Sequence, residues 1–417
     1  MKLKGVWGFL PFWVFLMLFK SGADLHFNSL SPLGERVFPV WVVGIIIGLF
    51  SLLQMVLDVP AGLLLDKFGY RRLLKFTTVV FIVATLLLFL FGLNMYTYIF
   101  TSFLSTIGWL FLGPGVNAYV ISQASKKESN KFISFRDISG SIGSVVAGIL
   151  FAVTISCPVQ VMAFIATLFL VVSYVFIFLS PDDTENVCIE KKIPTQDFYI
   201  KRRFLHKVVK AIFKLNPVSS FLLISSLSSS IFYSIICFVI PLVIAHTESL
   251  GIMSWSLGVF DIAIIFAGFG LGKLAKLINR IFLIFLGLLV FGVMGTLLGF
   301  NFGVWFIVIG FIATVGDEIA SLSLWSWLYD LDKDHAEDGL ISGVLNLSHD
   351  LGWAIGPILG GFLYYGLGPS WTIMIGALFL LLAWFIYTIK LGALNMTINS
   401  NSNIAPKKPH KFRNGRY

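Results

Sequence analysis

Charge is what this sequence has least of. Only 12% of its 417 residues are Asp, Glu, Lys or Arg, whereas 57% are hydrophobic and the mean hydropathy is +0.91. A water-soluble fold has no interior large enough to hide that much apolar surface, so a soluble enzyme is excluded. Cysteine is scarce as well. Cys157, Cys188 and Cys237 are odd in number, scattered and never in Cys-x-x-Cys spacing, which removes a disulfide framework, a zinc site and redox chemistry. No glycine-rich phosphate loop ending in Gly-Lys-Ser or Gly-Lys-Thr occurs, so nucleotide hydrolysis is not the energy source, and no cofactor is implied. No loop gathers the polar constellation that an integral membrane enzyme would need. The net charge of +9 does not indicate nucleic acid either, because its Lys and Arg lie between apolar runs rather than on a folded basic face.

What is present is a series of apolar runs of roughly 20 residues, the length of helix that crosses about 30 Å of hydrocarbon. They centre on 6–28, 39–64, 72–91, 97–121, 132–154 and 158–180, and then on 217–244, 251–272, 281–300, 303–328, 342–365 and 369–390. The runs are continuous rather than alternating, which predicts twelve helices and excludes a barrel of short strands. Lys2, Lys4, the apolar stretch Gly5 to Phe19 and Ser21-Gly22-Ala23 resemble a secretory signal. Lys20 is badly placed for a cleavage region, and the later spans need a first partner, so this stretch reads as an uncleaved first span.

Basic residues set the orientation. With both termini in the cytoplasm, 28 of the 30 Lys and Arg fall on the inner side; Arg36 lies in an outer loop and Lys20 within a span. An assignment wrong by one helix would scatter them over both sides. The chain then divides into a six-helix unit at 1–180, a cytoplasmic linker at 181–216, a second six-helix unit at 217–391 and a basic, disordered tail at 392–417. Within the linker, Phe198 to Leu215 is either a basic amphipathic helix lying on anionic lipid or a solvated connection. Asp330 to Asp338 forms an acidic inner loop without the glycine and glutamate spacing of a calcium loop, so no metal is expected. Sliding the chain by 213 residues lays Arg136-Asp137 on His349-Asp350, Gly143 on Gly356 and Gly148 on Gly361, so the fifth and eleventh helices read as repeats.

The most specific local pattern is Asp58-Val59-Pro60-Ala61-Gly62-Leu63-Leu64-Leu65-Asp66-Lys67-Phe68-Gly69-Tyr70-Arg71-Arg72. It resembles the signature of the major facilitator superfamily between the second and third helices: a glycine, an acid four residues on, then a glycine and a basic pair. The equivalent stretch of the second half, Gly270 to Lys276, keeps the small and basic residues but has no acid. The resemblance implies two six-helix bundles rocking about a midplane site, in an all-α membrane protein. Gly62 is expected to let a neighbouring helix approach, Gly69 to make a tight turn, and Asp66 to cap a helix across the interface between halves. Asp58, Arg71, Arg72, Arg136, Asp137, His349 and Asp350 are expected to join them as gate or latch contacts. Gly352, Gly356, Pro357, Gly360 and Gly361 make helix 11 a packing and bending element. Helix 5 lacks the proline of family antiporters, and Ser105-Thr106-Ile107-Gly108-Trp109 stands where family members often carry an arginine in helix 4.

Charges inside hydrocarbon cost about 2.5–3.5 kcal/mol each on insertion scales and ask for a purpose. Asp317 and Glu318, mid-way along helix 10, which lines the central cavity in the family, are the proton-coupling candidates, with Asp261 of helix 8 next. The alternative is a structural pairing, for instance with Lys20. Lys20 and Asp24, four apart on helix 1, are either a self-neutralising pair or part of the substrate path. Trp109, Asn117, Tyr233, Trp325 and Trp327 are the cavity candidates, suited to an amphipathic solute. The expectation is a proton-coupled secondary transporter of a small solute, acting as a monomer in the plasma membrane. Efflux of a hydrophobic compound leads by family frequency; uptake of a sugar, organic acid or other nutrient is the alternative, and a non-transporting sensor or scaffold is the rival of another class.

Overall fold

In the computed structural model, residues 6–123, 129–182, 217–246, 255–274, 278–300, 303–331 and 338–402 are described. After a 3-10 turn at Val6–Phe9, the first half contributes α1 (Leu10–Glu35), α2 (Val40–Phe68), α3 (Tyr70–Phe91), α4 (Met95–Gln123), α5 (Ser129–Thr154) and α6 (Val159–Leu179). The second half contributes α7 (Pro217–Ala245), α8 (Ser256–Leu274), α9 (Arg280–Phe300), α10 (Val304–Leu331) and a segment, Asp338–Ser402, that breaks at Gly368 into α11 and α12. Helices form because lipid offers no partner to a backbone amide, so each must be satisfied within its own segment. Among the described residues, ten helical stretches are long and apolar enough to cross a bilayer. One of them, Leu347–Ile386, is divided at Gly368, and the shorter apolar helix Ser256–Ala267 makes the twelfth.

The breaks have local causes. Gly69, Gly92 and Gly368 take φ of 88°, 66° and 79°, a region that a Cβ disfavours. Pro39 and Pro158 start α2 and α6 in extended geometry, where the missing amide hydrogen is no loss. The Asn94 side chain accepts from the amides of Tyr96 and Thr97 at 3.0 Å each and so caps α4. Relative to the sequence reading, α1 runs on to Glu35, and the polar stretch after Lys390, expected to be disordered, continues α12 as far as Ser402. The linker from residue 183 to 216, the loop at 332–337 and the tail beyond 402 lie outside the described residues.

The first bundle packs α1 against α5 and α6, α3 against α4 and α6, and α2 against α4. Its core is aromatic, with Phe9, Phe12, Phe15, Phe19, Phe81 and Tyr119 all fully buried. The second packs α7 against α11 and α12, α9 against α10 and α12, and α8 against α10. Large apolar side chains face outward instead: Phe164, Leu168, Val171, Val175 and Phe178 form a stripe along α6 at helical spacing.

The bundles meet along α2–α11 and α5–α8, and at one end through α1 and α7. Glycines permit both long contacts, in a pattern that follows the repeat. Gly143 of α5 lies on the backbone of α1 at Met17, and its counterpart Gly356 of α11 lies on α7 at Ile231 and Ser234. Gly148 lies on Gly258 of α8, and its counterpart Gly361 on Val40 and Gly44 of α2. Each pair therefore performs the same two tasks, holding its own bundle together and touching the other one. Without a hydrophobic drive between helices in lipid, backbone approach of this kind supplies much of the packing energy.

Candidate functional site

A cavity of about 520 Å³ lies between the bundles, near the middle of the helices. From the first bundle it receives Lys20, Asp24, Phe27 and Asn28 of α1, Gln54 of α2 and Trp109 of α4. Lys20 and Asp24 share a face because they stand one helical turn apart. The Lys20 ammonium is 2.9 Å from both carboxylate oxygens of Asp24, and Ser144 of α5 donates to the same carboxylate at 2.5 Å. The ammonium also sits 4.8 Å above the Trp109 ring. Lys20 and Asp24 therefore pair with each other and both line the cavity.

The second bundle brings Tyr233 of α7, Asp261 of α8, Asp317 and Glu318 of α10, and His349, Asp350 and Trp353 of α11 into the same space. Among the described residues, Asp261, Asp317 and Glu318 have no Lys or Arg at ion-pair distance; Lys20 is engaged by Asp24 instead. The His349 Nδ1 is 3.4 Å from Asp350, and its Nε2 accepts from the Trp353 indole at 3.2 Å. Asp58 of α2 approaches Asp350 within hydrogen-bonding reach, so two carboxyls face each other across the α2–α11 contact.

Other expected residues lie elsewhere. Asn117 is exposed away from the cavity, where it accepts from Arg136, whose guanidinium also holds Asp137 at 2.6 Å. That cluster ties α4 to α5 within one bundle. Arg71, buried on α3, donates to the carbonyls of Ile177 at 3.1 Å and Phe178 at 2.5 Å and pairs with Asp182. It fastens the end of α6, because a guanidinium can satisfy several carbonyls that the helix terminus leaves open. Arg72 is exposed. Gly69 makes the expected turn, its amide donating to Leu65 at 3.0 Å, but a Cβ on Gly62 would meet no atom of the described residues within 4 Å. The side chains of Asp66, Trp325 and Trp327 lie outside the described residues. In α11, Gly352 and Gly356 face α7 closely, Gly360 more loosely, and Pro357 and Gly361 face α2.

Sequence reasoning passed over several lining residues. Phe27, Trp353, Ser225, Ser226, Ser229 and Ser230 all face the cavity. The serine run of α7 is conspicuous in an apolar helix, and Trp353 stands one turn after His349; both were available signals. It also passed over a polar contact at the far end, beside the α1–α2 turn. There Glu35 lies 3.4 Å from the His246 imidazole, and the Tyr364 hydroxyl is 3.5 Å from the other ring nitrogen. This joins α1 to α7 and α11, across the bundles.

The sequence profile of the Major Facilitator Superfamily matches residues 6–336 and 222–412, which together take in nearly the whole chain. The chain belongs to the major facilitator superfamily. Solved structures that share its fold include two transporters. The human organic anion transporter MFSD10 (TETRAN) is 15% identical with a TM-score of 0.62, covering 90% of this chain and 98% of its own. The Escherichia coli fucose:proton symporter FucP is 12% identical with a TM-score of 0.59, covering 92% and 98%. No curated protein matches in sequence. A multi-pass membrane protein of this family, with a cavity at the junction of its bundles, is built for secondary transport of a small solute, and the twelve-helix, two-bundle architecture read from the sequence is the one observed.

Proposed function

We propose that this protein is a proton-coupled secondary transporter that exposes its central cavity alternately to the two sides of the plasma membrane. Its direction is efflux of an amphipathic compound, with both termini in the cytoplasm. The observation that carries this is the placement of Asp261, Asp317 and Glu318: three carboxyls in the inter-bundle cavity, without a basic partner among the described residues, at the seam between two bundles. A carboxyl without a basic partner is a group that can carry a proton, and the seam lets the proton be gained on one side and lost on the other. Closure at one end is assigned to Glu35, His246 and Tyr364, and at the other to Asp58 and Asp350, each set joining the two bundles.

The test is solute accumulation in proteoliposomes against an imposed pH gradient. Asp317→Asn and Glu318→Gln should each abolish uphill movement while leaving downhill exchange; if both retain uphill movement, these residues do not couple. A uniporter would ignore the gradient, and a sensor or scaffold would move nothing. Uptake of a hydroxylated nutrient is the second reading, supported by the four α7 serines at the cavity wall.

A further inference from the structure

The cavity's charges do not balance, and the imbalance has one sign. Among the described residues five carboxyls line it, Asp24, Asp261, Asp317, Glu318 and Asp350, against one ammonium, Lys20, and one imidazole, His349. The internal pairings use up both basic groups. Lys20 is held at 2.9 Å by Asp24, and drawing it toward a bound anion would leave that carboxylate uncompensated in a weakly polar site. His349 turns one nitrogen to Asp350 and the other to the Trp353 indole. Asp261, Asp317 and Glu318, all in the second bundle, remain. An anionic solute would meet carboxyls there and no available cation among the described residues, in a setting where like-charge contact is weakly screened.

The facing wall has a chemistry that fits the same sign. Phe27, Trp109, Tyr233 and Trp353, from α1, α4, α7 and α11, make an unbroken series of ring contacts. Their centroids lie 6.1 Å apart for Phe27–Trp109, 6.1 Å for Phe27–Trp353 and 5.6 Å for Tyr233–Trp353. The wall already receives one cation, since the Lys20 ammonium lies over Trp109. Aromatic faces attract positive charge through their quadrupole and repel negative charge. The series crosses both bundles, so a solute lying against it touches each of the halves that must move. The serine oxygens of α7 that line the same cavity offer acceptors to N–H groups. The volume suits a drug-sized molecule.

We infer that the solute is an amphipathic organic cation, an ammonium, phosphonium or iminium group carried on an apolar or aromatic body, seated between the aromatic wall and the carboxyls of α8 and α10. This rests on the transporter reading and specifies its substrate.

The experiment uses the purified full chain and three probes of related shape and different charge: tetraphenylphosphonium, tetraphenylborate and neutral triphenylphosphine oxide. Binding is read by quenching of intrinsic tryptophan fluorescence and by thermal stabilisation. The phosphonium should bind about tenfold or more tightly than either competitor, the margin expected of one good charge contact. In Asp317→Asn and Glu318→Gln that preference should shrink. Since the comparison among probes is made on the unaltered protein, it stands even if a variant fails to fold. Equal or tighter binding of the borate, or stabilisation by fucose and other polyols with none by the phosphonium, would overturn the inference. Proteoliposome flux separates the two levels: uphill movement of an anion or a sugar keeps the transporter and discards the cation, whereas no movement of any probe or sugar discards both.

Discussion

Three glycines on α5 offer a sharp test of how the bundles are held, because the same substitution should have three outcomes along one helix. A Cβ added at Gly140 would meet nothing within 4 Å. At Gly143 it would run into the α1 backbone at Met17 and lie 2.7 Å from the Lys20 Cβ. At Gly148 it would collide with the backbone nitrogen of Gly258 and lie 2.8 Å from that residue's Cα and 3.0 Å from the Leu257 carbonyl carbon. Ordinary contact begins at 3.4 Å, so α5 and α8 must part by at least 0.6 Å. The opposing atoms are backbone, so no side chain can swing aside. Overpacking of this kind costs about 1–3 kcal/mol. For a unit the size of one bundle that lowers the melting midpoint by roughly 2–12 °C. Gly140→Ala should instead be neutral or stabilise by up to about 1 kcal/mol, through reduced backbone entropy. Gly148→Ala should also lose transport disproportionately, because the contact it breaks lies between bundles; Gly143→Ala, which acts within one bundle and beside Lys20, should lose stability first. The assay is thermal unfolding of the three purified variants with proteoliposome flux alongside. Indistinguishable midpoints for Gly140→Ala and Gly148→Ala would refute the close approach of α5 to α8.

Two further outcomes follow from the polar contacts. Arg71→Lys keeps the charge but cannot serve two carbonyls in the same geometry, so it should destabilise the first bundle by about 1–3 kcal/mol in thermal unfolding, whereas Arg72→Lys on the exposed face should not. Glu35→Gln should loosen closure beside the α1–α2 turn; with Cys157, Cys188 and Cys237 replaced by serine, Asn28→Cys in the cavity should then react faster with an impermeant thiol reagent from that side, and an unchanged rate would remove Glu35 and His246 from the gate.

The positions of the helices were legible in the sequence because span length and apolar continuity are one-dimensional constraints. A backbone in lipid must close its hydrogen bonds within its own segment, and the bilayer sets how long that segment is. Gly69 was legible for a similar reason, since a tight turn between two helices with a basic pair beyond it is a local demand. The carboxyls of α10 stood out because an ionisable group in an apolar run is costly wherever its partners lie. The shift of 213 residues also named the right pairs of glycines, Gly143 with Gly356 and Gly148 with Gly361.

What those glycines touch could be decided only in three dimensions. In a soluble helix, polarity marks the outward face, but in lipid both faces are apolar and periodicity does not say which neighbour a residue meets. Gly62 and Gly148 look alike in sequence, yet among the described residues one meets no neighbour and the other the backbone of α8. Arg71 carries the signature of an inter-bundle latch, and its guanidinium also fastens the end of α6, which no local pattern announces. Phe27, Trp109, Tyr233 and Trp353 are scattered over more than 300 residues and become one wall only when four helices converge. The sequence by itself determined how many times the chain crosses the membrane and which charges it carries across; the tertiary structure decided which of those charges remain unpaired, because pairing depends on helices brought together from distant parts of the chain.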